Sequence, residues 1–348
     1  MAYTNIDKGS DYFETVTYTG TGAEQSISSL NFSPDLTWIK NRDTTDSHQL
    51  VDSVRGATKN LFSNLTNAEA TDAEGLKSFD TDGFTVGTRL GMNTSGESYV
   101  GWSWRGSDSS AVSNTDGSIT STVSANTTSG FSIVSYTGSG ATATVGHGLS
   151  SAPAMIIIKS REDPASQPQH WIVYHQSLGN TSYQWLSRDI ATGTSILGWN
   201  NTSPTSSVFS LGNGWTPNNY SGTNYIAYCF AEKKGFSKFG SYTGNGSTDG
   251  TFVYTGFKPA FVIIKQTDEA RDWLLMDNKR LGYNPKSYDL HPNTSDIEDT
   301  NDRMDLLSNG FKQTTIGSAN NKSGATYIYM AFASNPFVTS TGVPTTAR

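Results

Sequence analysis

Large apolar residues and small residues alternate near the end of three long stretches of the chain. In the first stretch Val100, Trp102 and Trp104 alternate with Gly101 and Ser103. The same period of two runs through residues 226–230 and 328–332. Because side chains on a strand point to opposite faces in turn, this pattern predicts a strand with one face on a core.

Each of these predicted strands closes one copy of a threefold repeat. The copies open with Tyr-Thr-Gly-x-Gly, which starts at Tyr18, Tyr136 and Tyr242. A proline follows, with an apolar run and a lysine six residues later; the prolines are Pro34, Pro153 and Pro259. A glycine-aromatic pair comes next, as Gly83-Phe84, Gly214-Trp215 and Gly310-Phe311. Asn-x-Ser-Gly-x-x-Tyr then leads into the closing strand from Asn93, Asn219 and Asn321. Four landmarks in a constant order predict a tandem repeat with a period of about 90–105 residues.

This repeat predicts an all-β fold of three tandem antiparallel β-sandwiches, jelly-roll-like in type. The predicted parts are an N-terminal arm (1–12), repeat one (13–106), a polar linker (107–129), repeat two (130–235), repeat three (236–337) and a C-terminal tail (338–348). For residues 107–129 an added edge strand is the alternative to a linker, since Ile119 and Val123 alternate with polar residues. Residues 64–76 and 295–307 have helix-compatible compositions, and we interpret them as loops with at most one helical turn.

Repeats one and three share an acidic and a basic residue three positions apart. Asp52 and Arg55 match Asp277 and Arg280, twelve residues after the landmark lysine in each case. Repeat two has His175 at the corresponding point. Such a pair is either a functional pair or a solvated or interdomain salt bridge, and the salt bridge is the commoner case.

Composition and charge narrow the class of protein. Lys and Arg number 24 against 31 Asp and Glu, so the net charge is −7, and no run of basic residues occurs. A nucleic-acid surface is therefore not expected, because such surfaces neutralise phosphates with Lys and Arg. The single cysteine, Cys229, excludes an internal disulfide and a cysteine zinc site. The sequence shows no apolar stretch typical of a signal peptide or a membrane span, which predicts a protein that folds in a reducing cytoplasm without membrane insertion.

Motifs that carry catalysis or metal binding do not stand out. The histidines show no His-Glu-x-x-His spacing, and no Gly-x-Ser-x-Gly or phosphate-binding glycine motif occurs. His170 and His175 are an odd number of residues apart on a predicted strand and point to opposite faces, so we expect structural roles for them. The acidic run over residues 296–305 lacks the glycine of a calcium loop and is expected to be a solvated loop. The sequence thus predicts a protein that is not an enzyme and has no metal or cofactor.

Aromatic residues in polar surroundings are the remaining candidates for recognition. The residues Trp38, Trp102, Trp104, Trp171 and Trp273 lie in apolar strands and are predicted to be core. By contrast, repeat two places aromatic residues among Gly, Asn, Ser and Thr; these are Trp185, Trp199, Trp215 and Tyr220. Aromatic and amide side chains together stack on sugar rings and bind hydroxyl groups, which makes these four residues a candidate glycan site. The alternative is that they close a small core of their own or meet a neighbouring subunit.

Two strings of the chain resemble a known group of proteins. The string SITSTVSANTTSGFSIVSYTGSGATATVGHGLSSAPAMIIIK (Ser118 to Lys159) and the string FSPDLTWIKNRDTTDSHQLVDSVRG (Phe32 to Gly56) resemble an uncharacterised repeat family in virion proteins of tailed phages, especially marine and cyanobacterial ones. The resemblance spans Phe13 to Phe337. It implies a structural component of the phage particle, usually described as fibre-like, and a location in the virion.

Together these observations predict a tail fibre or fibre-like appendage that contributes to host attachment, without catalysis. A capsid decoration or vertex protein with a purely structural role is the first alternative, and a glycan-degrading tailspike is the second. Expected partners are other virion proteins, copies of the same chain with a homotrimer favoured, and a host-surface glycan.

Overall fold

The structure is a computed structural model that describes residues 3–164, 167–280 and 288–345. It is nearly all β, with several antiparallel sheets, as predicted. Residues 1, 2 and 346–348 of the predicted arm and tail lie outside the described residues. Among the described residues, no helix is long and apolar enough to cross a membrane.

Residues 13–106 form one large and one small sheet. The large sheet has the strand order β1-β9-β3-β4-β5-β6, and the small sheet has the order β2-β8-β7. Their elements are β1 (Phe13–Thr19), β2 (Gln25–Ile27), β3 (Leu36–Asn41), β4 (Gln49–Asp52), β5 (Lys59–Phe62), β6 (Ala70–Thr71), β7 (Leu76–Asp80), β8 (Gly83–Val86), the helix α1 (Leu90–Asn93) and β9 (Ser98–Trp104).

Residues 112–230 form an eight-stranded sheet and a two-stranded sheet. The orders are β10-β11-β12-β19-β14-β15-β16-β17 and β13-β18. The elements are β10 (Val112–Asn114), β11 (Ser121–Asn126), β12 (Phe131–Thr137), β13 (Ala143–Gly146), β14 (Met155–Ser160), β15 (Ile172–His175), β16 (Ser182–Trp185), β17 (Gly193–Thr194), the helix α2 (Ile196–Trp199), β18 (Val208–Leu211) and β19 (Asn224–Phe230).

Residues 237–336 repeat the arrangement with four and three strands. The orders are β20-β26-β22-β23 and β21-β25-β24. The strands are β20 (Ser237–Thr243), β21 (Phe252–Tyr254), β22 (Phe257–Gln266), β23 (Leu274–Asp277), β24 (Met304–Leu307), β25 (Gly310–Gln313) and β26 (Thr326–Pro336). We refer to residues 13–106, 107–235 and 236–337 as the first, second and third segments.

The polar stretch 107–129 is not a linker. Its strand β11 pairs along its whole length with β12, and β10 pairs with β11 at the edge of the eight-stranded sheet. Val123 is buried on this added strand, which gives the alternation of Ile119 and Val123 its physical reason. The edge-strand alternative is therefore correct. Residues 64–76 and 295–307 contain no helix, but the loop interpretation is incomplete, because the first stretch includes β6 and the start of β7 and the second includes β24.

The three segments meet at one shared hydrophobic cluster, and the first and second segments each have a further cluster of their own. Trp104, Phe230 and Phe332 hold the same position on the three closing strands β9, β19 and β26. Their ring centroids lie 6.2 Å apart for Trp104 and Phe230, 5.9 Å for Phe230 and Phe332, and 5.8 Å for Trp104 and Phe332. All three are buried in one cluster that draws residues from every segment. The segments therefore meet around a common centre instead of following one another in a row.

The N-terminal arm lies against the third segment and the tail. A 3-10 turn at Gly9–Asp11 packs on β26, and the Tyr3 hydroxyl donates to the Gly256 carbonyl at 2.6 Å. Asp7 accepts hydrogen bonds from the amide and the hydroxyl of Ser340, each at 2.6 Å. These bonds draw both ends of the described chain to the same side of the molecule.

Candidate functional site

The landmark tyrosines of the repeat form the same stacked pair in each segment. The first tyrosine of each pair lies directly opposite the second across two antiparallel strands. The ring centroids of these pairs are 5.1, 5.3 and 4.9 Å apart, for Tyr18–Tyr99, Tyr136–Tyr225 and Tyr242–Tyr327. The hydroxyls of Tyr18, Tyr136 and Tyr242 donate at 2.7 Å to backbone carbonyls just before the closing strand. Buried tyrosines need such partners, so these residues build the fold.

The landmark asparagines tie two loops together in the same way three times. In the second segment the Asn219 side chain accepts from the Ser139 amide at 2.9 Å and donates to the Ala141 and Gly212 carbonyls at 2.6 and 2.7 Å. Asn93 and Asn321 make the matching bonds, and all three side chains are buried. The asparagine therefore satisfies backbone groups that the loops would otherwise bury unpaired.

The glycines of Tyr-Thr-Gly-x-Gly allow this close approach. A Cβ atom on Gly138 would lie 2.3 Å from the Tyr220 carbonyl oxygen, so only glycine fits there. Gly140, two residues on, has a φ of 73°, which is left-handed backbone that favours glycine. The motif thus encodes a turn that packs on the asparagine loop, and its sequence signature has a structural cause.

One landmark was assigned to the wrong residue in the second segment. Gly214-Trp215 was predicted to match Gly83-Phe84 and Gly310-Phe311, but Phe209 occupies that place. Phe209 pairs with Val145 across β13 and β18 and packs 6.1 Å from Tyr136. Phe84 and Phe311 contact Tyr18 and Tyr242 in the same manner, at 6.3 and 6.0 Å. The error arose because Val208, not glycine, precedes Phe209.

The Asp-x-x-Arg pair of the first segment is buried at the contact with the second segment. Arg55 Nε donates to Asp52 at 2.5 Å, and both side chains are fully buried. The hydroxyl of Tyr228, on β19, donates to the same carboxylate at 2.8 Å. Beside them Arg161 makes two bonds of 2.9 Å to Glu69. The Asp52–Arg55 pair is thus a salt bridge within the first segment, buried where that segment meets the second, and it is neither the solvated nor the interdomain bridge expected from sequence.

The third segment uses its own pair to contact the first segment. Arg280 Nε donates to Asp277 at 2.7 Å, and the indole of Trp102 donates to that carboxylate at 3.0 Å. Arg42 binds Glu298 through two nitrogens at 2.5 and 2.9 Å. Trp102 and Tyr228 are equivalent on their closing strands, so the two contacts are built to one plan.

The second segment contacts the third through His175, which occupies the position of Asp52 and Asp277. Its partner Met155 is the equivalent of Leu36 and Phe261, the partners of those two aspartates. His175 Nε2 donates to the Tyr329 carbonyl at 3.1 Å, and its Nδ1 accepts from the Ser177 amide at 3.2 Å. Burial lowers the pKa of His175 to about 4, so the ring is neutral at pH 7. The order of contacts is cyclic: first on second, second on third, and third on first.

Each landmark lysine is buried near one of these contacts. Lys40, Lys159 and Lys265 are all completely buried, and they donate hydrogen bonds to backbone carbonyls. Lys159 Nζ reaches across to the Thr66 carbonyl of the first segment at 3.2 Å. Burial lowers the pKa of Lys159 to about 7 and those of Lys40 and Lys265 to about 8. The three lysines thus stabilise the backbone through these hydrogen bonds. Nothing in the sequence beyond their constant spacing marks them as buried.

The four residues of the predicted glycan site are not equally accessible. Trp199 is 1% exposed in helix α2, and its indole donates to the Ser182 carbonyl at 3.0 Å. Because the ring is enclosed, it cannot stack on a sugar, and that part of the prediction is wrong. Trp185 is also buried, and its carbonyl accepts the indole proton of Trp273 at 2.8 Å.

Trp215 and Tyr220 lie nearer the surface. Trp215 is half-buried, with its ring 5.0 Å from Tyr183 and 5.6 Å from Trp185, so it covers a small aromatic core. Tyr220 is 39% exposed and stands apart from that core at the turn before β19. Closure of a small core, the alternative weighed from sequence, describes Trp185, Trp199 and Trp215. The core predictions for Trp38, Trp102, Trp104, Trp171 and Trp273 are confirmed.

One group of side chains has atoms placed as a metal ion would need them. Asp289, His291 and Asp299 bring one ligand atom each to within 4.8 Å of one another. However, Arg303 donates to Asp289 at 2.7 Å and to Asp299 at 3.1 Å. Although burial lowers it, the hydrogen bond and charge of Asp289 raise the pKa of His291 above its ordinary value. The Arg303 guanidinium bridges the two carboxylates and offsets part of their charge, so the group is an ion-pair network.

A pair of exposed aromatic residues lies on the third segment, where no sequence motif marks it. Phe252 and Tyr254 are 45% and 56% exposed, on either side of the buried Val253 in the edge strand β21. In sequence the string Phe-Val-Tyr is indistinguishable from a core strand. We call these two residues the aromatic strip.

Comparison with known proteins adds a family but no activity. No curated protein matches the sequence. The model of a family described as a domain of unknown function (DUF7483) matches residues 8–336, which is almost the whole chain. The chain therefore belongs to the DUF7483 family.

Proposed function

We propose that the chain is a non-enzymatic structural protein of a phage particle, built from three tandem β-sandwich repeats of jelly-roll-like type. Support for the repeats comes from strand pairing. In every segment the first strand pairs with the last, as β1 with β9, β12 with β19 and β20 with β26. The second strand pairs with the strand before the last, as β2 with β8, β13 with β18 and β21 with β25. Jelly rolls nest their outermost strand pairs in the same way.

A single observation carries the functional part of the proposal. The residues that recur in all three repeats are used inside the molecule, as stacked tyrosines, loop-binding asparagines and buried lysines. Likewise, the ion pairs Asp52–Arg55 and Asp277–Arg280 are buried within their own segments, at the contacts with the neighbouring segments. Such a chain is suited to holding a rigid shape while it presents surface residues that differ between its repeats. A fibre-like attachment protein needs both properties. The resemblance to virion proteins of tailed phages is the reason for assigning the protein to a phage particle.

The capsid decoration protein stays the second candidate, because the cyclic packing favours it. Three similar segments around one centre give one chain an approximate threefold surface, which matches threefold positions of a shell. The expected homotrimer remains a prediction. The chain already brings its three equivalent aromatic residues together, so a trimer is not needed to bury them. Light scattering of the purified protein measures its mass directly.

Immunogold electron microscopy of purified virions tests the proposal. An antibody against the recombinant protein is expected to label the tail. Label over the capsid would replace the attachment role with the decoration role. Absence of label on particles, with the antibody still recognising the protein in lysates of infected cells, would contradict a virion protein altogether.

A further inference from the structure

The aromatic strip is a feature of the third segment alone. Val253, the buried residue between the two rings, lies opposite Phe311 in the small sheet. The equivalent buried residues are Ile27 opposite Phe84 and Val145 opposite Phe209. The residues flanking those positions are Ser26 and Ser28 in the first segment and Thr144 and Gly146 in the second. Aromatic side chains are therefore not required by the fold at these two places.

The two rings of the aromatic strip contact neighbouring residues. Phe252 lies over Gly310, where a Cβ atom would come within 3.1 Å of its ring. The hydroxyl of Tyr254 lies beside Gly256 and next to Tyr3, whose pKa burial and Tyr254 together raise to about 12. Since alternate residues of a strand are about 7 Å apart on the same face, the strip presents two aromatic surfaces in a row.

Polar groups that suit hydroxyls surround the rings. Lys312 lies directly across from Phe252 and forms an ion pair with the exposed Asp249, and Asp305 is the next residue across the sheet. Tyr3 continues the line into a groove of about 440 Å³, which Asn5, Thr128 and Lys234 also line. Exposed aromatic faces with paired donors and acceptors at their rim are arranged as in sites that bind sugars. The charges of Lys312 and Asp249 offset each other beside Phe252, which suits an uncharged ligand, and the length of the line favours a chain of sugar units.

We propose that the strip Phe252–Tyr254, with Lys312 and the groove beside Tyr3, binds a neutral oligosaccharide or polysaccharide by stacking its sugar rings. This inference deepens the attachment role and in that respect rests on the proposed function. It places recognition in the third segment and not at Trp185, Trp199, Trp215 and Tyr220. Exposed aromatic pairs also serve as contacts between proteins, and the test separates that case.

Affinity electrophoresis in native gels tests the site with dextran, laminarin, mannan and xylan as probes. The wild-type protein is expected to be retarded by at least one of them. The double variant Phe252→Ser with Tyr254→Ser restores the residues of the first segment and should keep the fold. Its dissociation constant is expected to rise at least tenfold. A matched control, Leu90→Ser with Ile316→Ser, removes two exposed apolar residues elsewhere and should bind as the wild type does.

Three results would overturn the proposal. The first is no retardation by any probe, and the second is equal retardation of the wild type and the double variant. The third is a double variant that loses self-association in size-exclusion chromatography while its polysaccharide binding is unchanged, which would assign the strip to a second copy of the chain. Immunogold labelling of virions reports on the proposed function separately. Tail label together with any of these results would retain attachment and discard only this site.

Discussion

Two of the three contacts between segments bury a carboxylate with an arginine, whereas the third buries a neutral histidine at the same position. Asp52 and Asp277 each accept an arginine and an aromatic donor from the neighbouring closing strand. His175 instead donates to the backbone of β26. The fold therefore places a buried, hydrogen-bonded side chain at this position in every segment. That side chain can be either a carboxylate paired with an arginine or a neutral histidine.

Removing one partner of a buried ion pair should cause the largest loss of stability at these contacts. Arg55→Ala leaves Asp52 buried with the Tyr228 hydroxyl as its remaining side-chain donor. The free energy of unfolding is expected to fall by about 3–5 kcal/mol. Urea denaturation followed by tryptophan fluorescence measures it. Lys8→Ala, at the exposed Lys8–Asp11 pair, is the control and should cost at most about 1 kcal/mol. Equal small losses in both variants would show that the buried pair does not secure the contact.

The buried lysines should make the protein more stable in mild alkali. Their pKa values lie below that of an unfolded lysine, so the unfolded chain binds more protons between the two values and stability rises with pH. The pKa of Lys159 is about 7 in the folded chain against 10.5 unfolded. From pH 7 to pH 9 this residue alone is expected to add about 2 kcal/mol. Comparing denaturation curves of the wild type and Lys159→Met isolates the effect. A wild type whose stability is as flat as that of the variant would contradict the buried, neutral lysine.

Acid should weaken the histidine contact by a smaller amount. The folded pKa of His175 is about 4 and its ordinary value is 6.5, so its contribution is complete above pH 6.5 and is lost as the pH falls toward 4. Between pH 7 and pH 5 the loss is expected to be about 1–2 kcal/mol. His175→Gln cannot titrate and should remove that part of the pH dependence. Hydrogen exchange of β15 and β26 at both pH values checks whether the loss is local, and unchanged protection there would argue against it.

Much of the fold was predictable because the repeat exposes its own rules. Asparagine before a turn and tyrosine at a fixed distance after it have the same structural role in each repeat, and the sequence contains them three times. The burial of Trp102 and Trp104 followed from alternation, and that of Trp171 and Trp273 from the apolar strands in which they lie. Even the match of His175 to the aspartates was visible by position.

The rest depends on contacts between distant residues. Nothing in the local pattern says that Tyr228 meets Asp52 or that Trp102 meets Asp277, since those pairs are 176 and 175 residues apart. The burial of Trp199 does not follow from its polar neighbours in sequence. Such neighbours do not prevent the ring of a residue in a four-residue helix from packing inward. Conversely, Phe252 and Tyr254 resemble core residues until the sheet edge is known.

Calorimetric unfolding of the wild-type protein tests most directly the claim that three equivalent contacts close one body. A single transition is expected at pH 8, with a calorimetric enthalpy equal to the van't Hoff enthalpy, because all three segments contribute to one hydrophobic cluster and each contact supports the next. Two or three separate transitions, each the size expected for one segment, would contradict it.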